Sequence, residues 1–172
     1  MSGAKIKPHE LRTQRRPRRH SCWGQLIVAP LWVAYDANLG TLLRTCDAIG
    51  ACLAAPRTRH YRDALAKGDT LRGRRPCLHW VSPTKEAWID EQRAAGRRIV
   101  AVELAEGATS LPRLAPSRGP TVLLLGHEHY GVPDEVLAEV DECVEIPMVG
   151  HGSSLNVAVA GSLVAYRLAG LS

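Results

Sequence analysis

The last third of the chain decides the fold, because strands and glycine-rich loops alternate there before a closing helix. It opens with the apolar run Thr121-Val122-Leu123-Leu124-Leu125, followed by the loop Gly126-His127-Glu128-His129-Tyr130-Gly131. A second strand is predicted over 143–148, followed by the loop Val149-Gly150-His151-Gly152-Ser153, and an apolar helix is predicted over 154–169. Open parallel α/β sheets bind ligands beyond the carboxyl ends of their strands, so we expect these loops to form a ligand site.

Upstream of this region, short apolar segments alternate with segments of helical periodicity. That alternation predicts an α/β protein in which helices flank a parallel sheet. We predict strands over 31–35, 51–55, 78–81 and 98–103, and helices over 39–49, about 63–67, 83–95 and near 134–140. The segment 25–29 stays open as a further short strand ended by Pro30, and Pro83 is expected at the first position of its helix.

Length and composition indicate one globular domain with a basic extension. The chain has 172 residues, of which 45% are hydrophobic and 23% charged, values that are ordinary for a soluble domain. We predict a flexible basic tail over 1–20 and a single domain over 21–172. No apolar run reaches the ~20 residues of a membrane-spanning helix, and the start lacks an apolar signal core, so we expect a cytoplasmic protein.

The net charge of +5 is concentrated in two segments. The tail over 1–20 holds seven Lys or Arg against Glu10, and the segment 57–75 holds seven against Asp63 and Asp69. Basic segments of this kind bind nucleic acid through phosphate contacts, although a solvated tail that only aids solubility is the alternative. The tail residues expected to contact RNA are Arg12, Arg15, Arg16, Arg18 and Arg19.

Cysteine and histidine spacing predicts no metal centre. The five cysteines form no C-x-x-C pair, so neither a disulfide framework nor a zinc knuckle is predicted. His127 and His129 are two residues apart, unlike the histidines of an H-E-x-x-H zinc helix, and His151 lies in a different loop. We therefore expect a protein without a metal ion.

The polar residues of the two loops each have a physical use. Gly126 and Gly131 permit positive φ or a close approach of the backbone to a ligand, and Glu128 places a carboxylate between them. Ser154 and Asn156 offer a hydroxyl and an amide where the N–H groups of the closing helix are unpaired. The alternative is a pair of ordinary strand-to-helix turns in which Ser154 is a plain helix cap.

Three segments form an ordered set of motifs. They are Asn38–Gly50, then Gly126-x-Glu128-x-x-Gly131-Val132, then Ile146-Pro147-Met148 with Ser154-Leu155-Asn156-Val157. The set resembles the motifs of the SpoU, or TrmH-like, branch of the SPOUT methyltransferases, over a stretch from about Leu31 to Leu168. One departure is Ala158, where the family often has Ser.

The resemblance implies a fold detail, a cofactor and an activity. It implies a C-terminal deep trefoil knot, S-adenosylmethionine bound against the knotted loops, and a homodimer with active sites lined by both chains. The activity implied is methyl transfer to the ribose 2′-hydroxyl of RNA, and Arg44-Thr45-Cys46-Asp47-Ala48 favours tRNA over rRNA. Expected cofactor contacts are Leu125, Gly126, Gly131, Ile146, Met148 and Leu155. The helix face expected at the dimer interface holds Leu155, Val159, Leu163 and Tyr166.

The resemblance also implies catalytic roles. The residues concerned are Asn38, Arg44, Glu128, Ser154 and Asn156. Arg44 would hold phosphate and stabilise the developing alkoxide, because a guanidinium stays protonated and makes a poor base. Glu128 would orient Arg44, and the other three would hold the loops and the substrate.

Two alternatives to an RNA methyltransferase remain. One is the same fold acting on a small molecule or peptide, which the two basic segments disfavour. The other is a knotted RNA-binding protein without catalysis, which the combination of Asn38, Arg44 and Glu128 disfavours.

Overall fold

The computed structural model describes residues 25–68 and 77–171. The predicted basic tail with its five arginines, the residues 21–24 and the basic stretch 69–75 lie outside the described residues. Within the described ranges, the α/β class with a parallel sheet flanked by helices is confirmed. The trefoil knot stays a prediction from the family resemblance.

The sheet has seven strands in the order β3-β2-β1-β6-β4-β7-β5, and every pairing is parallel. The strands are β1 Leu26–Ala29, β2 Cys52–Pro56, β3 Leu78–Val81, β4 Arg98–Val102, β5 Thr109–Ser110, β6 Thr121–Leu125 and β7 Glu142–Glu145. The helices are α1 Asp36–Ile49, α2 Arg59–Gly68, α3 Lys85–Ala94, α4 Asp134–Leu137 and α5 Val157–Leu168, with a 3-10 turn at Leu111–Arg113.

Each central strand is buried on both faces, which explains why the strands are apolar runs rather than alternating patterns. Leu26 and Val28 of β1 enter the core that contains buried residues of α1, α2 and α5. Ile27 and Ala29 enter the opposite core, which contains Trp88 of α3. The sheet is therefore the middle layer between two groups of helices.

The prediction of a first strand over 31–35 is wrong, because the strand lies earlier, at Leu26–Ala29. Pro30 has no N–H for a sheet ladder, and the chain beyond it forms a buried loop that leads into α1. The hydroxyl of Tyr61 lies 3.1, 3.1 and 2.8 Å from the carbonyl oxygens of Pro30, Leu31 and Val33. The single O–H of Tyr61, on α2, can donate to one of these three carbonyl oxygens at a time, in a loop that has no neighbouring strand.

Two helix starts also differ from the predictions. Pro83 precedes helix α3 in a cis peptide bond with Ser82, and Thr84 is the cap, accepting a hydrogen bond from the Ala87 N–H at 3.1 Å. Helix α5 begins at Val157 rather than at 154, because the Asn156 side chain caps it. The strand predicted over 143–148 ends at Glu145, so its last three positions belong to the following loop.

One disulfide bond corrects the expectation from cysteine spacing. Cys52 is the first residue of β2 and Cys77 immediately precedes β3; their Cα atoms are 4.7 Å apart and their sulfurs are bonded. Sequence spacing did not reveal the pair because the parallel pairing of β2 and β3 aligns cysteines 25 positions apart. His79 Nε2 lies 3.6 Å from Cys77 Sγ. Among the described residues, Cys52, Cys77 and His79 are the one group close enough to share a metal ion, but both sulfurs are bonded to each other in the disulfide.

Among the described residues, none of the helices is long and apolar enough to cross a membrane.

Candidate active site

The carboxyl ends of β4, β6 and β7 open into a cavity of about 890 Å³. Its volume lies in the range of about 300–1,000 Å³ that is usual for small-molecule sites. The predicted cofactor contacts all line this cavity, namely Leu125, Gly126, Gly131, Ile146, Met148 and Leu155. Four of the five predicted catalytic residues line it as well: Asn38, Glu128, Ser154 and Asn156.

The Glu128 carboxylate connects the second motif to the first. Its Oε2 accepts a hydrogen bond from the Ala34 N–H at 3.0 Å, and its Oε1 accepts from the Tyr35 N–H at 3.1 Å. The Asn38 side-chain amide donates to Oε1 at 2.7 Å. Both oxygens therefore fix the entry into helix α1.

Asn38 and Asn156 connect the first motif to the third. The Asn156 amide donates to Asn38 Oδ1 at 2.9 Å. Asn156 Oδ1 in turn accepts from the N–H groups of Ala158 and Val159 at 2.9 and 3.3 Å. Since the backbone of Ala158 makes this bond, the residue that departs from the family pattern still supports the helix cap.

Burial alone would raise the pKa of the Glu128 carboxyl, but its hydrogen bonds outweigh burial. Donation from the backbone N–H of Ala34, from the Asn38 amide and from the Tyr35 N–H holds this pKa below its usual range. Glu128 is therefore an ionised acceptor at neutral pH.

Arg44 is the predicted catalytic residue that the structure places elsewhere. It is exposed on α1 and is not among the described residues that line the cavity. Within one chain the Glu128 oxygens accept from backbone N–H groups and from Asn38 rather than from Arg44, so the orientation of Arg44 by Glu128 stays a prediction. Arg44 and the cavity of its own chain are thus separate features.

The loop between Gly126 and Gly131 is a tight turn. His127 and Gly131 exchange two backbone hydrogen bonds of 2.9 Å, and Gly131 has a φ of 67°. A Cβ on Gly126 would lie 2.6 Å from the Gly131 carbonyl oxygen, so a side chain there would force the turn open. Glycine at both ends therefore lets Glu128 project from a compact turn.

Two acidic residues of the cavity were missed in the sequence. Glu103 follows β4, accepting from the Val132 N–H at 3.0 Å and the Leu104 N–H at 3.1 Å. Glu145 ends β7, and both residues line the cavity. Glu103 ends the strand predicted over 98–103, which was the available signal for it. Glu145 lies inside the strand predicted over 143–148, so its position at a carboxyl end became visible only in the structure. No Lys or Arg is found among the described lining residues, so the cavity suits a ligand that carries positive charge.

Comparison with known proteins agrees with this geometry. Residues 25–166 match the model of the SpoU rRNA Methylase family. The chain is 29% identical over 167 residues to a tRNA (guanosine(18)-2′-O)-methyltransferase of Escherichia coli, covering 92% of this chain and 66% of that one. It is 32% identical over 138 residues to a 23S rRNA (guanosine(2553)-2′-O)-methyltransferase of Bacillus subtilis, covering 77% of this chain and 53% of that one.

A solved structure is also similar. The AdoMet-bound rRNA methyltransferase from Sinorhizobium meliloti superposes with a TM-score of 0.72 at 30% identity, over 84% of this chain and 56% of that one. The chain thus spans two thirds or less of the length of these bacterial relatives.

Glu128 should contribute to the unfolding free energy by an amount that depends on pH. Glu128→Gln presents an NH2 group where two backbone N–H groups and Asn38 need acceptors, so we expect a loss of about 1–3 kcal/mol in unfolding free energy at pH 7. Because the folded pKa is lowered, the wild-type advantage is present above the unfolded pKa of about 4.3 and shrinks as pH falls below it.

Urea unfolding of both proteins from pH 7 to pH 3, at one protein concentration, measures this difference. Glu106→Gln is the control, since Glu106 is an exposed carboxylate that does not line the cavity. Equal stability of Glu128→Gln and wild type at pH 7 would contradict the network.

Proposed function

The chain belongs to the SpoU rRNA Methylase family, and on that basis we propose that it is an S-adenosylmethionine-dependent RNA 2′-O-ribose methyltransferase. The observation that most supports this proposal is the hydrogen-bonded set Glu128–Asn38–Asn156, which joins all three motifs at one cavity. We favour tRNA as the substrate, since the Escherichia coli relative is named for tRNA and the first motif resembles tRNA-modifying members. The relative named for 23S rRNA makes rRNA the second substrate to test.

The residues of the cavity fit S-adenosylmethionine. Leu125, Ile146 and Leu155 give it apolar walls suited to an adenine ring, and Gly126, which has no side chain, lines the same cavity with its backbone. Glu103 and Glu145 favour the positive charges of the sulfonium and ammonium groups. When bound, the cofactor supplies a methyl group that its positively charged sulfur makes electrophilic.

The protein's task is to position the ribose and to favour loss of its hydroxyl proton. Asn38 and Asn156 are held by each other and by Glu128, so they form a rigid polar edge against which a ribose can be oriented. With the cofactor bound, the 2′-oxygen would bond to the methyl carbon while the carbon–sulfur bond breaks and S-adenosylhomocysteine leaves as a neutral thioether. The hydroxyl proton would pass to water, and the oxygen would carry partial negative charge as that proton is lost. We assign Arg44 to that charge and to the neighbouring phosphate, because its planar guanidinium donates several hydrogen bonds at once.

We further propose a homodimer that buries one face of α5. Val159, Leu163 and Tyr166 follow helical spacing and remain 48%, 44% and 38% exposed, as does Leu155 at 40% just before the helix. An apolar face of this kind favours association with an equivalent face. In such a dimer, the exposed Arg44 of one chain is available to the cavity of the other.

The proposed RNA surface lies outside the cavity. Arg57, Arg59, Arg62 and Lys67 are exposed on or beside helix α2, and they precede the rest of the basic segment. Together with the tail arginines, they provide positive charge for phosphate contacts. We place the enzyme in the cytoplasm, in keeping with these RNA substrates.

The activity is tested by mapping ribose methylation across total RNA from cells with and without the gene. Single-turnover methyl transfer to the identified RNA is then measured in vitro. We expect one or a few 2′-O-methyl marks to depend on the gene and purified protein to restore them. Arg44→Ala should lower the transfer rate by about 10²–10³ because one preorganised charge contact is lost, with a small residual rate for Arg44→Lys.

Calorimetry with S-adenosylmethionine is the control for the Arg44 variants. One site per chain should be titrated by wild type and by Arg44→Ala alike, and EDTA should not change it. The absence of any gene-dependent ribose methylation would contradict the proposed function, and near-normal transfer by Arg44→Ala would remove Arg44 from the mechanism.

The shared site can be tested by mixing two inactive chains. Co-expressed Arg44→Ala and Asn38→Ala chains with different tags form heterodimers that keep one intact site if Arg44 serves the partner's cavity. Random pairing should then restore about a quarter of wild-type activity, since half of the dimers are mixed and each holds one good site. Light scattering that reports a monomer, or mixed dimers without activity, would contradict this arrangement.

A further inference from the structure

Three aromatic side chains line the cavity, Tyr35, His127 and His129, and the Tyr130 ring lies beside the two histidines. We call these four side chains the aromatic rim. The Tyr35 hydroxyl lies 3.1 Å from His129 Nε2, and the two rings meet edge to face at 84° with centroids 6.1 Å apart. The His127 and Tyr130 rings have centroids 4.7 Å apart, and those of His129 and Tyr130 are 6.5 Å apart. The four rings therefore form one continuous group.

The backbone that carries the aromatic rim is already ordered. His127 and Gly131 close the turn with two backbone hydrogen bonds of 2.9 Å, and the His129 N–H donates to His127 Nδ1 at 3.0 Å. On the other side, the Tyr35 N–H donates to Glu128 at 3.1 Å. Rings held on fixed backbone lose little conformational entropy when a ligand packs against them.

The rim is exposed although its rings are large. Tyr130 is 85% exposed and Tyr35 is 53% exposed, so neither ring is needed to fill a core of the single chain. Their surfaces are available to a flat partner, and covering them removes apolar area from water.

The rim lies next to the place where a ribose must enter. Tyr35 is three residues before Asn38, and His127 and His129 flank Glu128. Tyr35, His127 and His129 also line the cavity itself. A nucleotide whose 2′-hydroxyl reaches Asn38 therefore has its base, or the base beside it, within reach of the rim.

We propose that the aromatic rim is a nucleobase-binding subsite, in which Tyr130 and its neighbours stack on an unpaired base at or next to the methylated nucleotide. The proposal rests on the proposed RNA methyltransferase function. Proteins that bind unpaired RNA bases stack them on Tyr and His rings, and the interaction tolerates different bases because each has a π face. The rim thus holds the base, while the basic segments hold phosphates.

The test compares Tyr130→Ala with Tyr130→Phe, using unfractionated tRNA as the probe. Tyr130→Ala should weaken RNA binding and raise the KM for RNA by about tenfold or more, because a stacking contact is lost. Tyr130→Phe keeps the ring and should match wild type. The salt dependence of RNA binding should be the same in all three proteins, since no phosphate contact changes.

Three controls separate stacking from other roles. Leu171→Ala removes an exposed apolar side chain outside the cavity, 58% exposed in the wild type, and should change nothing. The affinity of Tyr130→Ala for S-adenosylmethionine and its rate at saturating RNA should equal those of wild type. Light scattering should give the same mass for both.

An unchanged RNA affinity in Tyr130→Ala, beside an active wild type, overturns the subsite. A lower mass for Tyr130→Ala also overturns it, because the ring would then belong to a subunit interface. A flatter salt dependence would assign Tyr130 to ordering a phosphate contact instead. If the wild-type protein methylates neither tRNA nor rRNA, the proposed function is wrong, and the subsite proposal, which depends on it, is wrong as well.

Discussion

The bonds that converge on the Glu128 carboxylate are the constraint on which the site depends. This one group takes hydrogen bonds from residues 90 to 94 positions earlier in the chain and thereby fixes the start of helix α1. Asn38 passes the connection to Asn156, and Asn156 caps helix α5. Each of these side chains lines the cavity and also makes hydrogen bonds between distant segments of the chain. Replacing one of them should therefore lower both the ligand affinity and the unfolding free energy.

Sheet order makes these bonds possible. Strand β6 pairs with β1 on one side and β4 on the other, so the loops that follow all three strands meet at one edge. The Tyr61 hydroxyl contacts backbone carbonyl oxygens of the loop after β1. The same loop presents the N–H groups of Ala34 and Tyr35 to Glu128. Charges of opposite sign also lie in different places: carboxylates line the cavity, and exposed arginines lie on or beside α2. This distribution fits the proposed cationic cofactor in the cavity and the proposed RNA substrate outside it.

Sequence reasoning located the motif-bearing segments because glycines, prolines and apolar runs leave local signals. It placed β6 and its loop correctly, and it named the residues that line the cavity at Asn38, Glu128 and Asn156. It predicted a strand over 31–35 that is a loop, because an apolar loop held by a distant tyrosine has the same composition as a strand. The true β1 lies in the segment 25–29, which the sequence had left open as a strand. Contacts between residues far apart in the sequence leave no local pattern. The disulfide between Cys52 and Cys77 and the hydrogen bond from Asn38 to Glu128 are examples.

The most direct test of the account is a double-mutant cycle on Asn38 and Glu128, read as unfolding free energy at neutral pH. The two side chains are joined at 2.7 Å, so Asn38→Ala and Glu128→Ala should each destabilise the protein. If they act as one unit, the double variant should lose less than the sum of the single losses, with a coupling energy of about 1 kcal/mol or more. Losses that add within about 0.3 kcal/mol would show that the residues are independent and would contradict the central claim.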